Sequence, residues 1–387
     1  MNEAYALYIT SFPPQRYRRP LLASKALKLL GLKTLFYEGW DLVNRYAPLR
    51  TVAKFSQKLP KPLDWLSKDM AYETGLYFNT KNLKPKCIIN LNTVGAYSSR
   101  NSTQRKPLII DLQDLTIEDD ETIPIYDRQM LKLADMVIFA SKAINDLVEK
   151  KHHKLLKKSA HIPFGIDLEA FDSAYKLANA QEFKIQEDLR DKKIISYSGG
   201  AYLWGTREGQ GLDILLQACA KVVKEVPEVR IVVQGTAAPE TQLWWWLMNK
   251  MKQQKLEGKI LLLPPTNPFD KNRLSMVKAS DVLLLPIGDI LGTYYAEQQK
   301  LYEYMAAQRP IAMIATPARL NVVDHNSAYI AERRDPDEFA YQITKALDEP
   351  EEAAAKAARA RKIVEQRYDW KVLIPRYAEA VASVLVD

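Results

Sequence analysis

Three successive segments in the last third of the chain decide the fold: Val282-Leu-Leu-Leu-Pro-Ile-Gly288, Lys300-Leu-Tyr-Glu-Tyr-Met-Ala-Ala-Gln-Arg-Pro310 and Ile311-Ala-Met-Ile-Ala-Thr-Pro317. The first and third are short apolar runs bounded by Pro and Gly, which predict buried strands, and the second predicts a helix. Strand, loop, helix and strand in this order form one crossover unit of a parallel sheet. The sequence therefore predicts an α/β fold.

Lys300 and Glu303 fall in the first turn of the predicted helix. Ligands of parallel sheets bind beyond the carboxyl ends of the strands, where such helices begin. A helix N-terminus and a lysine suit a diphosphate, and one carboxylate can accept both hydroxyls of a ribose. These residues predict a nucleotide site, although the same two residues also fit a solvated first turn in which the helix dipole favours Glu303.

The segment Lys300–Pro310 resembles the K-L-(F/Y)-E-(Y/A)-M-A-x-G-x-P segment of GT-B fold glycosyltransferases, in particular the retaining enzymes of family 4. The resemblance implies that Glu303 binds the donor ribose and that Leu301 lies in the donor site. Two positions depart from the family pattern. Gln308 stands where Gly is usual, and Tyr295 stands where many members have the first Glu of an E-x7-E pair.

A second segment, Ala160–Phe171, resembles the I-P-N-G-(V/I)-D-x-x-x-F stretch that closes the N-terminal domain in this family, with Phe164 in place of Asn. The two matches imply a GT-B architecture of two Rossmann-like domains facing a cleft. We expect an acceptor domain over residues 1–172, a linker over 173–192 and a nucleotide-sugar domain over 193–368. Residues 369–387 are expected to form a helix that crosses back to the first domain, with Trp370 as its anchor.

A Gly-rich loop follows the predicted strand that opens the second domain, and it contains Gly199 and Gly200. Glycines let backbone N–H groups approach phosphate oxygens, so a strand, this loop and a helix predict a phosphate cradle. In the family pattern a diphosphate-binding Lys stands at the position of Gln210. We expect Arg207 to replace that lysine, or Lys300 to neutralise the diphosphate unaided.

Other donor-site candidates come from the resemblance of their segments. The turn at Gly235 resembles the family's I-V-G-x-G, and Thr266 lies in the loop that contacts the base in the family. The loop around Thr293, Tyr294 and Tyr295 is expected to face the sugar.

The first half contributes two groups of candidates. Gln113 and Asp114 belong to a stretch that resembles the family's D-x-H-D, whose His neighbours the donor sugar, and Gln113 occupies the His position. A Gln can hydrogen-bond sugar hydroxyls but cannot act as an acid or base. Arg16 and Arg19 lie in the turn Ser11–Pro20, just before the first predicted helix, and are candidate phosphate or acceptor contacts. A solvated arginine cluster fits them equally well.

The net charge of +8 is concentrated in residues 1–190, which hold 29 Lys and Arg against 22 Asp and Glu. An anionic partner for the first domain follows from this, such as a membrane surface, a phosphate-bearing acceptor or nucleic acid; a basic face kept for solubility is the alternative. We favour a saccharide or lipid-linked acceptor at an anionic membrane surface. A DNA-modifying glycosyltransferase and a degenerate nucleotide-sugar or membrane-surface binder remain alternatives, and nucleic acid is the less favoured partner.

Bulk composition limits the class of protein. No apolar run reaches the roughly 20 residues that a membrane span needs, and the N-terminus lacks the pattern of a signal peptide. Cys87 and Cys219 are too few for a disulfide framework or zinc site. We expect a cytoplasmic enzyme, peripheral on the inner face of the membrane, that needs neither metal nor cofactor. Three adjacent tryptophans, Trp244 to Trp246, cannot all face one core, so at least one is expected to be exposed.

Overall fold

The computed structural model describes residues 4–11, 18–39, 63–103, 106–200, 203–204, 207–235 and 240–385, and the side chains of 63–69, 204 and 207 lie outside that description. The chain divides into two compact units, residues 1–164 with 371–387 and residues 165–370. The boundary falls at residue 164, and residues 173–192 lie within the second unit.

The first unit contains one parallel sheet of six strands. The strands are β1 (Tyr5–Thr10), β2 (Lys33–Glu38), β3 (Cys87–Leu91), β4 (Leu108–Leu112), β5 (Met136–Phe139) and β6 (Ser159–His161). Their spatial order is β2-β1-β3-β4-β5-β6. Strands β3, β4 and β5 are buried at every residue and are apolar except for Asn90 and Asp111, as expected for a sheet covered on both faces.

Helices connect these strands. They are α1 (Arg19–Leu29), α2 (Leu63–Thr80), α3 (Ala96–Ser102), α4 (Ile125–Leu133) and α5 (Lys142–His152), which a 3₁₀ turn follows at His153–Leu155. Pro20 stands at the start of α1, where its missing N–H has no cost. Residues 5–38 form a strand, a helix and a strand in the order of a parallel crossover.

The second unit contains another six-stranded parallel sheet and a two-stranded hairpin. Its strands are β7 (Lys193–Ser198), β8 (Leu203–Trp204), β9 (Arg207–Glu208), β10 (Val229–Gln234), β11 (Ile260–Leu263), β12 (Val282–Leu285), β13 (Ile311–Ile314) and β14 (Tyr329–Ala331). The sheet order is β11-β10-β7-β12-β13-β14, and β8 pairs with β9. The order of the strands reverses between β7 and β12, which is where open α/β sheets bind ligands.

The helices of this unit surround the sheet. They are α6 (Leu168–Lys176), α7 (Ala180–Gln186), α8 (Leu212–Glu225), α9 (Gln242–Gln253), α10 (Lys271–Ala279), α11 (Leu291–Tyr295), α12 (Gln299–Ala306), α13 (Pro317–Leu320), α14 (Pro336–Asp348) and α15 (Pro350–Ile363), with a π turn at Val364–Tyr368. Asp335 caps α14 through its carboxylate, which accepts the N–H groups of Asp337 and Glu338.

The last helix, α16 (Trp370–Ala382), returns to the first sheet. The Tyr377 hydroxyl donates to Oδ2 of Asp111 at 2.8 Å, and the Tyr8 hydroxyl of β1 donates to the same oxygen at 2.8 Å. Burial raises the pKa of both phenols, so they remain protonated donors. The end of the chain is therefore part of the interior of the first unit. Trp370 itself is buried.

Candidate donor site

Lys300 lies in the first turn of α12, at the carboxyl edge of the second sheet. Its Nζ donates to the Tyr197 hydroxyl at 2.6 Å and to Oε1 of Gln210 at 2.9 Å, and it lies 4.4 Å from the centroid of the Tyr197 ring. Both acceptors are neutral. Burial, followed by repulsion from Arg319, lowers the pKa of Lys300 to about 7. The ammonium is therefore held at the edge of the sheet without a carboxylate bonded to it.

Two predicted donor-site glycines make this approach of Lys300 possible. A Cβ on Gly199 would lie 2.6 Å from the Lys300 Nζ, and a Cβ on Gly235 would lie 2.6 Å from the Gly199 carbonyl oxygen. Gly235 also has φ +89°, which disfavours any side chain. Gly200 is exposed, and its carbonyl accepts the Tyr197 hydroxyl at 3.1 Å. Gly199 thus leaves space for the lysine at the end of β7, and Gly235 leaves space for Gly199 at the end of β10.

The predicted phosphate cradle before α8 is already occupied by a side chain of this protein. The buried carboxylate of Glu208 accepts the N–H groups of Gln210 (2.8 Å), Gly211 and Leu212 (2.7 Å). This corrects the expectation that the Gly-rich loop offers these N–H groups to a phosphate. Positive charge for an anion must come from side chains instead. The Arg207 side chain lies outside the described residues, so its role stays a prediction.

Glu303, the predicted ribose contact, forms a buried ion pair. Its Oε2 accepts a hydrogen bond from Nη2 of Arg273, and each side chain is only 8% exposed. The Nε of Arg273 donates to Ser198 Oγ at 2.8 Å, and Ser198 Oγ donates to Gln234 Oε1 at 2.8 Å. The Gln234 amide then donates to Thr266 Oγ1 at 3.1 Å. One chain of hydrogen bonds therefore joins Glu303 to Thr266 along the carboxyl edge of the sheet.

This chain explains how the sequence positions the two predicted contacts. Arg273 fixes the orientation of the Glu303 carboxylate, and a carboxylate has about four acceptor positions, so it can accept ribose hydroxyls while paired. Thr266 is exposed at the other end, where a base can reach it. The sequence did not single out Arg273, because an arginine in a short polar helix is usually exposed to solvent.

The structure differs from expectation at two other predicted parts of the donor site, the segment Thr293–Tyr295 and Leu301. Thr293, Tyr294 and Tyr295 form the short helix α11 rather than a loop; the Thr293 hydroxyl donates to the Ile290 carbonyl at 2.6 Å, and Tyr294 packs on the hydrophobic core. The Leu301 side chain is buried, and its N–H donates to the Gln298 carbonyl at 3.0 Å. Leu301 therefore contributes to the core of the unit and offers no side-chain surface to a donor.

The second unit matches a protein-family model. Residues 193–349 match the family described as Glycosyl transferases group 1. These residues therefore resemble a group 1 glycosyltransferase domain. The match begins at β7 and includes Lys300, Glu303 and the hydrogen-bond chain from Arg273 to Thr266, so the site described above belongs to this domain.

Solved structures show that the whole chain has the fold of the GT-B glycosyltransferases. Anabaena HepE in complex with UDP-glucose is 16% identical, with a TM-score of 0.71, and the match covers 98% of this chain and 99% of that one. An α,α-trehalose-phosphate synthase (UDP-forming) from Burkholderia vietnamiensis is 12% identical, with a TM-score of 0.75 and 99% of each chain covered. Sucrose-phosphate synthase from Thermosynechococcus elongatus is 13% identical, with a TM-score of 0.70 and 98% of each chain covered. No curated protein matches this chain.

In the first unit, Asn92 brings the ends of β3 and β4 together. Its Oδ1 accepts the N–H of Gln113 at 2.7 Å and that of Asp114 at 3.2 Å, and its own backbone has φ +60°. The Gln113 side chain is buried, and its Nε2 has no hydrogen-bond partner among the residues that the structure describes. An unsatisfied buried amide is costly and is suited to a polar ligand. Asp114 is exposed.

Arg19 is a structural residue of the first unit. It is buried, its Nε donates to Asp111 Oδ1 at 2.8 Å, and its Nη1 donates to the carbonyls of Ile162 and Pro163 at 2.6 and 2.8 Å. This environment differs from both sequence interpretations, a phosphate contact and a solvated cluster, because the guanidinium is enclosed and paired with a carboxylate. Arg16, the other candidate, lies outside the described residues.

In the described part of the chain, no group of three or more His, Cys, Asp or Glu side chains is placed to hold a metal ion. No helix there has the length and apolar character to cross a bilayer.

Proposed function

We propose that this glycosyltransferase moves a hexose from a nucleoside-diphosphate sugar to a saccharide or lipid-linked acceptor, with retention of configuration and without a bound metal. The observation that carries the proposal is the position of Lys300 and Glu303. Both lie on the first turns of one helix, at the point where the order of the strands reverses, and they offer a cation and a carboxylate to one ligand. A diphosphate and a ribose have the complementary chemistry.

The proposed roles follow from this arrangement. Glu303, held by Arg273, accepts the ribose hydroxyls, and Thr266 contacts the base. Lys300, with Arg207, stabilises the charge on the departing diphosphate. The roles of Gln113 and Asp114 at the sugar rest on the resemblance of their segment and, for Gln113, on its unsatisfied amide. Retention rests on the resemblance alone.

A uracil nucleotide is the first donor to test, because HepE is solved with UDP-glucose and the Burkholderia enzyme is UDP-forming. The experiment compares thermal stabilisation by UDP, GDP, ADP and dTDP, with Glu303→Ala alongside. A ligand at about 100 times its Kd stabilises a protein by roughly 2.7 kcal/mol. We expect one nucleotide to raise the Tm of the wild type and to have little effect on the variant. Absence of a shift with every nucleotide would contradict the proposal.

We further propose that the enzyme associates with an anionic membrane, and helix α9 supports this. Trp245 is 58% exposed and Met248 is 38% exposed, while Leu243, Leu247 and Met251 are buried. Trp245 is thus the member of the tryptophan triplet that lies most open to solvent. Residues 242–253 include Lys250 and Lys252 but no acidic residue. An exposed tryptophan beside lysines has the chemistry of a helix that lies in the interface of an anionic bilayer.

A further inference from the structure

Arg319 is a buried arginine at the carboxyl edge of the second sheet. It belongs to α13 and is 1% exposed. Its Nη1 donates to the carbonyl oxygens of Leu285 at 2.7 Å and Ile314 at 2.6 Å, which are the last residues of β12 and β13. The guanidinium therefore ties together the ends of two neighbouring strands.

The other terminal nitrogen reaches the helix that carries the donor-site residues. Nη2 donates to the Pro286 carbonyl at 2.6 Å and to Gln298 Oε1 at 2.6 Å. Gln298 is the N-cap residue of α12. Arg319 thus sets the start of the helix from which Lys300 and Glu303 project, while its Nε is buried without an acceptor.

The charge of Arg319 has no carboxylate partner among the described residues. All four of its acceptors are neutral carbonyl or amide oxygens. Burial lowers the pKa of Arg319 to about 9, which still leaves it charged at neutral pH. Burying a charge without a partner of opposite sign costs free energy, and an anion that binds nearby reduces that cost.

The surrounding groups do not neutralise this charge. Glu303 is paired with Arg273, and Glu208 accepts the backbone N–H groups at the start of α8. Lys300 adds a second cation bonded only to neutral groups, and repulsion from Arg319 contributes to its lowered pKa. In the described part of the chain, the edge of the sheet therefore holds two cations that donate hydrogen bonds only to neutral oxygens, while the charges of Glu208 and Glu303 offset part of the lowering of the Lys300 pKa.

We propose that Arg319 is a positioning residue for the donor diphosphate: it fixes the start of α12 and supplies a buried positive charge that the diphosphate neutralises on binding. This role rests on the proposed function, since it assumes that the diphosphate binds beside Lys300. Arg319 acts through Gln298 and through its charge rather than by touching the sugar.

The test is Gln298→Glu, which places a carboxylate on Nη2 of Arg319 and retains the hydrogen bond. Gln299→Glu is the matched control, because it adds the same charge one residue further along and Gln299 is not bonded to Arg319. The Kd values of UDP, inorganic pyrophosphate and uridine are measured by calorimetry. We expect Gln298→Glu to fold with an unchanged or higher Tm, to weaken UDP and pyrophosphate at least tenfold, and to leave uridine within about twofold.

A second readout separates this role from a structural one. Neutralising Arg319 removes a charge that repels the Lys300 ammonium, so the pH at which UDP affinity declines should move upward in Gln298→Glu. Equal losses in the two variants would mean general repulsion of anions and would overturn the proposal, as would unchanged UDP affinity in Gln298→Glu. If the wild type binds neither UDP nor pyrophosphate, the proposed function fails as well, and the role of Arg319 fails with it.

Discussion

The Lys300 ammonium lies 2.9 Å from the amide oxygen of Gln210, so a cation carried by helix α12 reaches the segment just before α8. Position 210 is where the resembling family has its diphosphate-binding lysine. The family pattern also has the lysine at position 300, and here its ammonium contacts the side chain at position 210. With Gln at position 210, the positive charge of Lys300 therefore remains at this point.

This relationship predicts the result of exchanging the two side chains. Lys300→Gln should weaken UDP binding by about 10- to 100-fold, the effect of losing a charge-assisted hydrogen bond. Adding Gln210→Lys to that variant should recover at least about tenfold, because the ammonium returns to the same point from the other element. Calorimetric titration of both variants with UDP measures this. No recovery in the double variant, despite a wild-type Tm, would show that the two positions do not share one function.

The lowered pKa of Lys300 predicts a pH dependence of donor binding. With a pKa of about 7, the ammonium is fully charged below pH 6 and loses its charge as the pH rises. A diphosphate binds the charged form, so UDP affinity should fall about fivefold between pH 7 and pH 8. Lys300→Arg stays charged throughout and serves as the control for titration of the nucleotide itself. Parallel pH profiles of the two proteins would contradict the prediction.

The same lowered pKa makes the stability of the folded protein change with pH in the direction opposite to UDP affinity. The unfolded state binds a proton at Lys300 up to a pH near 10, whereas the folded state releases it near 7, so this lysine favours the folded form as the pH rises between those values. Ligand affinity and the stability of the free enzyme are therefore expected to change in opposite directions above pH 7.

The ion pair of Arg273 and Glu303 predicts a large effect on stability. Arg273→Met leaves a carboxylate buried without its partner, which typically costs about 3–5 kcal/mol. The double variant Arg273→Met with Glu303→Gln should lose less than Arg273→Met alone, since no unpaired charge remains. Urea unfolding, followed through the transition of the second unit, measures the free energy of unfolding of both variants.

An exposed pair provides the control for that experiment. Arg333 and Glu338 also form an ion pair, but the Arg333 side chain is 83% exposed. Arg333→Met should change the free energy of unfolding by less than about 1 kcal/mol. Similar losses in Arg273→Met and Arg333→Met would mean that the buried pair contributes no more than a surface pair.

The strands and the donor-site helix could be predicted from the sequence because their signal is local. Runs such as Val282–Leu285 and Ile311–Ile314 are short, apolar and bounded by Pro or Gly, and the structure places strands there. The Lys300 and Glu303 positions followed from the same pattern, since the first turn of a crossover helix always lies at the carboxyl edge of the sheet. Both residues lie within residues 193–349, which match the family described as Glycosyl transferases group 1.

The partners of those residues could not be predicted, because they come from distant segments. Arg273, Arg319 and Tyr197 have no local pattern that distinguishes a buried role from a solvated or core one. Glu208 is different: a carboxylate just before a helix is a recognisable capping signal, and it could have been set against the phosphate-cradle interpretation. Composition likewise did not indicate that Arg19 pairs with Asp111, since the two residues meet only in the folded sheet.

Helix α9 predicts which part of the second unit contacts a membrane. Trp245→Ser should reduce binding to vesicles that contain anionic lipid, because an exposed indole gains free energy by entering the bilayer interface and the adjacent lysines are attracted to the surface. Tyr341→Ser is the matched control, since Tyr341 is 62% exposed on another helix of the same unit. Sedimentation with anionic and with zwitterionic vesicles measures the difference. We expect Trp245→Ser to weaken binding to anionic vesicles several-fold, Tyr341→Ser to bind as the wild type does, and high salt to release the wild type. If the wild type does not bind anionic vesicles, or if the two variants bind them equally, α9 is not the membrane contact.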